Sequence, residues 1–312
     1  MNKKNNLLTI LGPTASGKTT LASNVAYRID GEIISADSRQ VYKSMNIGTG
    51  KDYDDYLIKS TKIPYHLIDI AEAGYKYNVF EYQNDFLKVF QNILNRNKFP
   101  ILCGGTGMYI EAVTKGFKLI SVPVNINIRN DLENLSINEL TKILQSFKKL
   151  HNTSDITSKK RLIRAIEIEK YYIENEITDS DYPDINNIFI GINPDVSERR
   201  TRITKRLKER LNQGMISEVE KLLNSGITKE DLIYYGLEYK FITQYIIGEI
   251  NYDKMFKQLE IAIHQFAKRQ MTWFRGMERR GVKIIWIDFN LTLEEKVDEI
   301  IKILRKNNFI KT

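Results

Sequence analysis

The sequence predicts an α/β protein, a parallel sheet flanked by helices and interrupted by a small helical insertion. Three observations carry this. Apolar runs of strand length alternate with stretches of helical period, the alternation that wraps helices around a parallel sheet. A glycine-rich turn joins the first run to the first helical stretch. From about Ser121 the texture turns polar and then helical, and strand character returns only at Ile188.

In order along the chain, Leu7-Leu8-Thr9-Ile10-Leu11 is a strand that meets Gly12, and Lys18 to Tyr27 follows as a helix with Leu21, Val25 and Ile29 inward. Further strands are expected at Glu32-Ile33-Ile34-Ser35, neighbouring the first strand, and at His66-Leu67-Ile68-Asp69-Ile70 and Pro100-Ile101-Leu102-Cys103. The insertion spans residues 121–185. It has an Asn-rich start from Val124 to Asn134, helical pattern over Ile137 to Tyr172 broken by the polar turn His151-Asn152-Thr153-Ser154-Asp155, and a linker at Asp179-Ser180-Asp181-Tyr182-Pro183-Asp184. The core domain, residues 1–120 plus 186–312, resumes with a strand at Ile188–Ile192 and a charged helix from about Ser197 to Gln213. Helices at Ile216–Leu223 and Tyr252–Arg275, a strand at Val282–Ile287 and a closing helix from Leu293 to Leu304 complete it.

Composition narrows the class. At 312 residues with 42% hydrophobic and 28% charged, the chain is long enough for about two domains and has an ordinary globular balance. Its formal charge of +8 favours polyanionic partners once the cations cluster on one surface. They do cluster: Arg199, Arg200, Arg202, Lys205, Arg206, Lys208 and Arg210 crowd one helix. A solvated helix face is the alternative, and only some of these residues can meet a phosphate. The single cysteine, Cys103, excludes an intrachain disulfide framework and reads as a small core residue closing a strand. The few apolar residues after Asn6 are too short for a signal-peptide core, and no apolar run nears the roughly 18 residues of a membrane span, so a cytoplasmic protein is expected.

Gly12-Pro13-Thr14-Ala15-Ser16-Gly17-Lys18-Thr19 matches G-x-x-x-x-G-K-[ST] between a strand and a helix, the context this phosphate-binding loop requires. The fold is therefore read as P-loop NTPase-like. Backbone amides and the helix N-terminus converge on a phosphate, Lys18 adds a mobile positive charge, and the Thr19 hydroxyl is placed for Mg²⁺. The motif alone leaves the phosphate ligand open, and Asp69 reads equally as a metal-holding strand-end carboxylate or as a turn residue.

Four blocks, taken together, resemble the tRNA dimethylallyltransferase (isopentenyltransferase) family. They are this loop; Asp37-Ser38-Arg39-Gln40-Val41-Tyr42 with Ile47-Gly48-Thr49-Gly50-Lys51; Gly104-Gly105-Thr106-Gly107-Met108-Tyr109; and Gln265-Phe266-Ala267-Lys268-Arg269-Gln270-Met271-Thr272-Trp273-Phe274-Arg275. The resemblance implies transfer of a prenyl group from dimethylallyl pyrophosphate, with Mg²⁺, to the adenosine immediately 3′ of the anticodon, within the anticodon stem-loop, by a monomeric enzyme. It implies Asp37 as general base, with Lys18 and Thr19 acting on the pyrophosphate held by Gly12 to Thr19. Asp37, Ser38, Arg39, Gln40, Thr106, Lys160, Arg161, Leu162, Ile163, Arg164, Lys268, Arg269, Gln270 and Arg275 are then expected at tRNA. On local grounds Asp37 also reads as a turn or cap residue and Thr106 as a helix N-cap. Phe266 and Trp273 share a helical face and are expected in the core. The chain departs from the family's I-G-Y-K-E segment, having Tyr235-Gly236-Leu237-Glu238-Tyr239-Lys240 instead. The rival readings are prenyl transfer to free adenylates, a P-loop nucleotide kinase and a non-catalytic RNA-binding protein.

Overall fold

The computed structural model describes residues 5–147, 158–175 and 182–311. The expected turn His151-Asn152-Thr153-Ser154-Asp155, and Asp179, Ser180 and Asp181 of the expected linker, lie outside the described residues. The chain divides into two compact units, Met1–Phe117 with Pro183–Thr312, and Lys118–Tyr182.

In the larger unit β1 (Asn6–Leu11) runs through the glycine-rich turn into α1 (Lys18–Ile29) and then β2 (Gly31–Ala36). A short hairpin, β3 (Leu57–Ile58) and β4 (Thr61–Lys62), precedes β5 (Tyr65–His66), α2 (Val79–Asn95), β6 (Phe99–Gly104) and α3 (Gly107–Thr114). The smaller unit holds α4 (Ile126–Glu133), α5 (Ile137–Phe147) and α6 (Lys159–Glu174). The larger unit resumes with β7 (Asn186–Ile192), α7 (Val196–Asn212), α8 (Met215–Asn224), α9 (Lys229–Tyr235), α10 (Leu237–Ile246), α11 (Tyr252–Arg279), β8 (Ile284–Ile287) and α12 (Leu293–Lys306).

The main sheet has the order β5-β2-β6-β1-β7-β8, and its neighbours pair in parallel. Two expectations are corrected. β2 does not sit beside β1, because β6 pairs along the whole of β2, from Gly31↔Phe99 to Ala36↔Gly104, and separates the two. The strand expected over residues 66–70 stops at His66, because Leu67 and Asp69 take left-handed conformations (φ 61° and 56°) that break the ladder.

Strand alternation feeds a core on each face of this sheet. Leu8, Ile10, Ile33, Ile101 and Ile190 pack with Leu21 and Val25 of α1 and with Val297, Ile300 and Leu304 of α12. Leu7, Leu11, Ile34 and Leu102 point the other way, toward Phe86 and Phe90 of α2 and the buried residues of α7 to α11. Every strand of such a sheet ends in the same direction, so the loops after β1, β2 and β6 gather at one edge.

The smaller unit has its own core of Leu132, Leu140, Leu144, Leu162, Ile163 and Ile166. Its Asn-rich start is helical because the Asn125 side chain caps α4, accepting from Ile128 N at 3.1 Å. The buried Glu167 carboxylate accepts from Asn125 N and takes the guanidinium groups of Arg129 and Arg164.

Candidate active site

The loops at that edge enclose a cavity of about 1090 Å³, lined among others by residues 14–20, Asp37 to Gln40, Gly48 to Gly50 and Gly104 to Met108, with one face of α7 and the start of α10. Ala15 (φ 61°) and Gly17 (φ 80°) are both left-handed, which folds the loop back on itself before α1. Ser16 is buried and its hydroxyl has no hydrogen-bond partner, so a polar group is still wanted there. Withdrawal from water lowers the pKa of Lys18, with Asp37 opposing that shift and Arg206 and Arg210 adding to it.

Asp37 follows the last residue of β2, and its carboxylate accepts from Arg39 N at 2.9 Å. The Thr106 hydroxyl does not cap α3; it accepts from Ser38 N at 3.0 Å and so couples the turn after β6 to the turn after β2. Gln40 ties the end of β2 to the next loop, accepting from Ser35 Oγ at 3.0 Å and donating to the Gly50 carbonyl at 3.1 Å. That loop is wrapped around Glu218 of α8, whose carboxylate accepts from the amides of Asn46, Ile47 and Gly48 and from the Tyr239 hydroxyl. At the loop's end Gly50 is left-handed (φ 71°), and a side chain there would run into the Arg210 guanidinium.

Several expected site residues have other work. Gly12 and Pro13 are buried and do not line the cavity, and the Thr14 amide is taken by Gln270 Oε1 at 2.8 Å. Gln270, expected at tRNA, is buried with its amide nitrogen on the Gly105 carbonyl at 3.0 Å, so it is a strut joining two loops. Leu162 and Ile163, also expected at tRNA, lie in the smaller unit's core, and Arg164 is held by Glu167 and the Val122 carbonyl. Lys160 and Arg161 are exposed on that unit. Lys268, Arg269 and Arg275 are exposed on α11, and Arg269 reaches the cavity beside Phe266. Phe266, expected in the core, is 38% exposed and lines the cavity; Trp273 also lines it and donates its indole N–H to Glu111 at 2.8 Å. Asp69 does not line the cavity: its oxygens engage Lys51 and Tyr53, so it is a turn residue. Cys103 stays a core thiol, pushed up to about 12 by burial.

The structure also selects among the α7 cations. Arg202, Lys205, Arg206 and Arg210 line the cavity, the three arginines at i, i+4 spacing, while Ile203, Leu207 and Leu211 form the buried face. Arg206 pairs with Asp52. Arg210 has only 11% of its side chain exposed, its Nη2 has no hydrogen-bond partner, and Asp52 lies 3.7 Å away. Burial pushes Arg210 down to about 10. Glu238 lines the same cavity, and withdrawal from water raises its pKa. The helical spacing was visible in the sequence; which stripe faced the cavity was not.

A P-loop, a cationic helix face and a strand-end carboxylate around one cavity define an α/β protein of P-loop NTPase-like fold, with a carboxylate set beside its phosphate-binding loop. Comparison with known proteins narrows this class. The profile of the family described as IPP transferase matches residues 40–277. The chain is 56% identical over 306 residues to tRNA dimethylallyltransferase 2 of Phocaeicola vulgatus, covering 98% of this chain and 100% of that one. It is 59% identical over 302 residues to tRNA dimethylallyltransferase 1 of Parabacteroides distasonis, covering 97% and 98%. The protein belongs to the IPP transferase family. Among solved structures, the tRNA isopentenylpyrophosphate transferase of Bacillus halodurans matches with a TM-score of 0.71 at 30% identity, covering 97% of this chain and 96% of that one. A eukaryotic dimethylallyltransferase acting on tRNA shares the fold, with a TM-score of 0.79 at 19% identity over 98% of this chain and 79% of that one. Among the described residues no helix is long and apolar enough to cross a membrane.

Proposed function

We propose that the protein is a tRNA dimethylallyltransferase, which moves the dimethylallyl group of dimethylallyl pyrophosphate to N6 of the adenosine immediately 3′ of the anticodon. The observation that carries this reading is the sharing of one cavity by Asp37 and the phosphate-binding loop. The N6 lone pair attacks the allylic carbon, the carbon–oxygen bond breaks, and pyrophosphate leaves with the electron pair. Asp37 takes the proton that N6 loses, since the amine is a weak nucleophile until that proton can go. Lys18, Arg206, Arg210 and the loop amides not already taken meet the charge that grows on the departing oxygen.

The residues present suit Mg²⁺. Among the described residues no group of three or more His, Cys, Asp or Glu side chains could hold a metal, so the ion would be held mainly by substrate phosphates and the Thr19 hydroxyl, near the partnerless Ser16 hydroxyl. Bound there, it would neutralise phosphate charge. The target base must leave its stack to reach Asp37, which a single-stranded anticodon loop permits at low cost. Arg39, Arg269, Lys268 and Arg275 in the larger unit, and Lys160 and Arg161 in the smaller, are proposed as the tRNA contacts. The enzyme is proposed to act as a cytoplasmic monomer.

The test is transfer of labelled prenyl from dimethylallyl pyrophosphate with Mg²⁺, to unmodified tRNA and in parallel to AMP. Label in tRNA alone, reduced about 10²- to 10⁴-fold in Asp37→Ala, is the expected result. Label in AMP would move the substrate to free nucleotides, and an Asp37→Ala enzyme as active as wild type would remove the base.

A further inference from the structure

Tyr234, near the end of α9, is 48% exposed, and two cations flank its ring: the Arg39 guanidinium carbon lies 5.6 Å from the ring centroid and the Lys76 ammonium 5.8 Å. The next residue explains why this ring stays at the surface. Tyr235 is fully buried, packs on Tyr42 with ring centroids 4.5 Å apart, donates to the Tyr75 carbonyl at 2.8 Å and accepts from Gly74 N at 2.6 Å. Adjacent residues on a helix cannot face the same way, so anchoring Tyr235 inward turns Tyr234 outward. An edge contact with Tyr235, centroids 5.7 Å apart, steadies the ring. Lys76 is partly neutralised by Asp231 at 3.4 Å and stays 64% exposed.

Tyr234 does not line the cavity, but its ring lies against two residues that do, Arg39 and Tyr235. None of the chemistry assigned to the cavity uses it. A nucleotide drawn out of a loop leaves its neighbour with an unstacked face, and a fixed aromatic ring beside the entrance replaces that stack. The flanking cations suit the phosphates on either side of such a base.

We propose that Tyr234 is a stacking platform for a nucleobase adjacent to the target adenosine, with Arg39 and Lys76 serving the phosphates that flank it. This rests on the tRNA reading above. The test measures binding of an unmodified anticodon stem-loop RNA by fluorescence anisotropy to wild type, Tyr234→Ala, Tyr234→Phe and Lys76→Gln, at two salt concentrations, with pyrophosphate binding measured on each. Tyr234→Ala should weaken RNA binding about tenfold or more and leave its salt dependence unchanged. Tyr234→Phe should bind like wild type, because the ring and not the hydroxyl stacks. Lys76→Gln should flatten the salt dependence. A stem-loop carrying 2-aminopurine beside the target should lose fluorescence on wild type and Tyr234→Phe but not on Tyr234→Ala. Equal RNA binding by Tyr234→Ala and wild type overturns the platform, as does loss of pyrophosphate binding in Tyr234→Ala, which would make the ring a structural support. A wild-type protein that binds pyrophosphate but no stem-loop RNA overturns the tRNA reading itself.

Discussion

Arg210 is a side chain whose surroundings call for a ligand. Nearly buried, with a partnerless Nη2 and Asp52 at 3.7 Å, it costs desolvation that its neighbours do not fully offset. An anion in the cavity would complete its hydrogen bonds. Arg210→Met should therefore raise the Kd for pyrophosphate about tenfold to a hundredfold, the worth of one charge-assisted hydrogen bond, and leave affinity for stem-loop RNA unchanged. Isothermal titration with pyrophosphate checks this, and unchanged affinity would remove Arg210 from the site. The helical period brings out Arg202, Arg206 and Arg210 as a stripe, yet local sequence cannot say whether that stripe meets solvent or a cavity. Gln270 shows the opposite failure. Its place in a basic block suggested RNA, and only the folded chain reveals both ends of its amide held by backbone.

At the scale of elements, α11 braces the catalytic edge. Gln270 is its connection to both the phosphate-binding loop and the turn after β6. Gln270→Ala leaves the Thr14 amide and the Gly105 carbonyl without that partner and should cost about 2 kcal/mol in a urea melt, as two lost hydrogen bonds imply. Because the loop loosens as well, pyrophosphate affinity should fall with it; full stability in the variant would mean that water replaces the amide at no cost. The loop around Glu218 is a second brace. The Ile47-Gly48-Thr49-Gly50-Lys51 block lines the cavity through Gly48, Thr49 and Gly50 and is held there by distant residues. Its amides bind a carboxylate from a distant helix, its glycine yields space to Arg210, and buried Lys51 pairs with Asp69.

For the whole molecule, each unit carries a buried carboxylate whose pairing makes stability depend on pH. Burial pushes Glu167 and Glu32 up, and their partners more than reverse this: Arg129 and Arg164 for Glu167, Arg96 and His66 for Glu32, so both pKa values are lowered below the usual glutamate value. A carboxylate with a depressed folded pKa contributes stability above its unfolded pKa and loses it as pH falls through the folded one. Each unit should therefore weaken as pH drops below about 4.5. Hydrogen exchange followed against pH should show Glu167→Gln removing that dependence from residues 118–147 and 158–175 while the larger unit keeps its own. Equal acid response in variant and wild type would place the titration elsewhere.

The alternation of apolar runs and helices determined an α/β core, and the glycine-rich turn determined a phosphate loop, because both follow from short-range rules of period and backbone geometry. The helical stretch after Ser121 and the return of strand character at Ile188 were equally local signals. Tertiary structure alone decided that β6 intervenes between β1 and β2, that Leu162 and Ile163 are core, and that Phe266 lines a cavity instead of filling a core. Those facts depend on which distant segments pair and which helix face finds a partner. The free energy of that choice resides in contacts between residues far apart in the chain, where no local pattern records it.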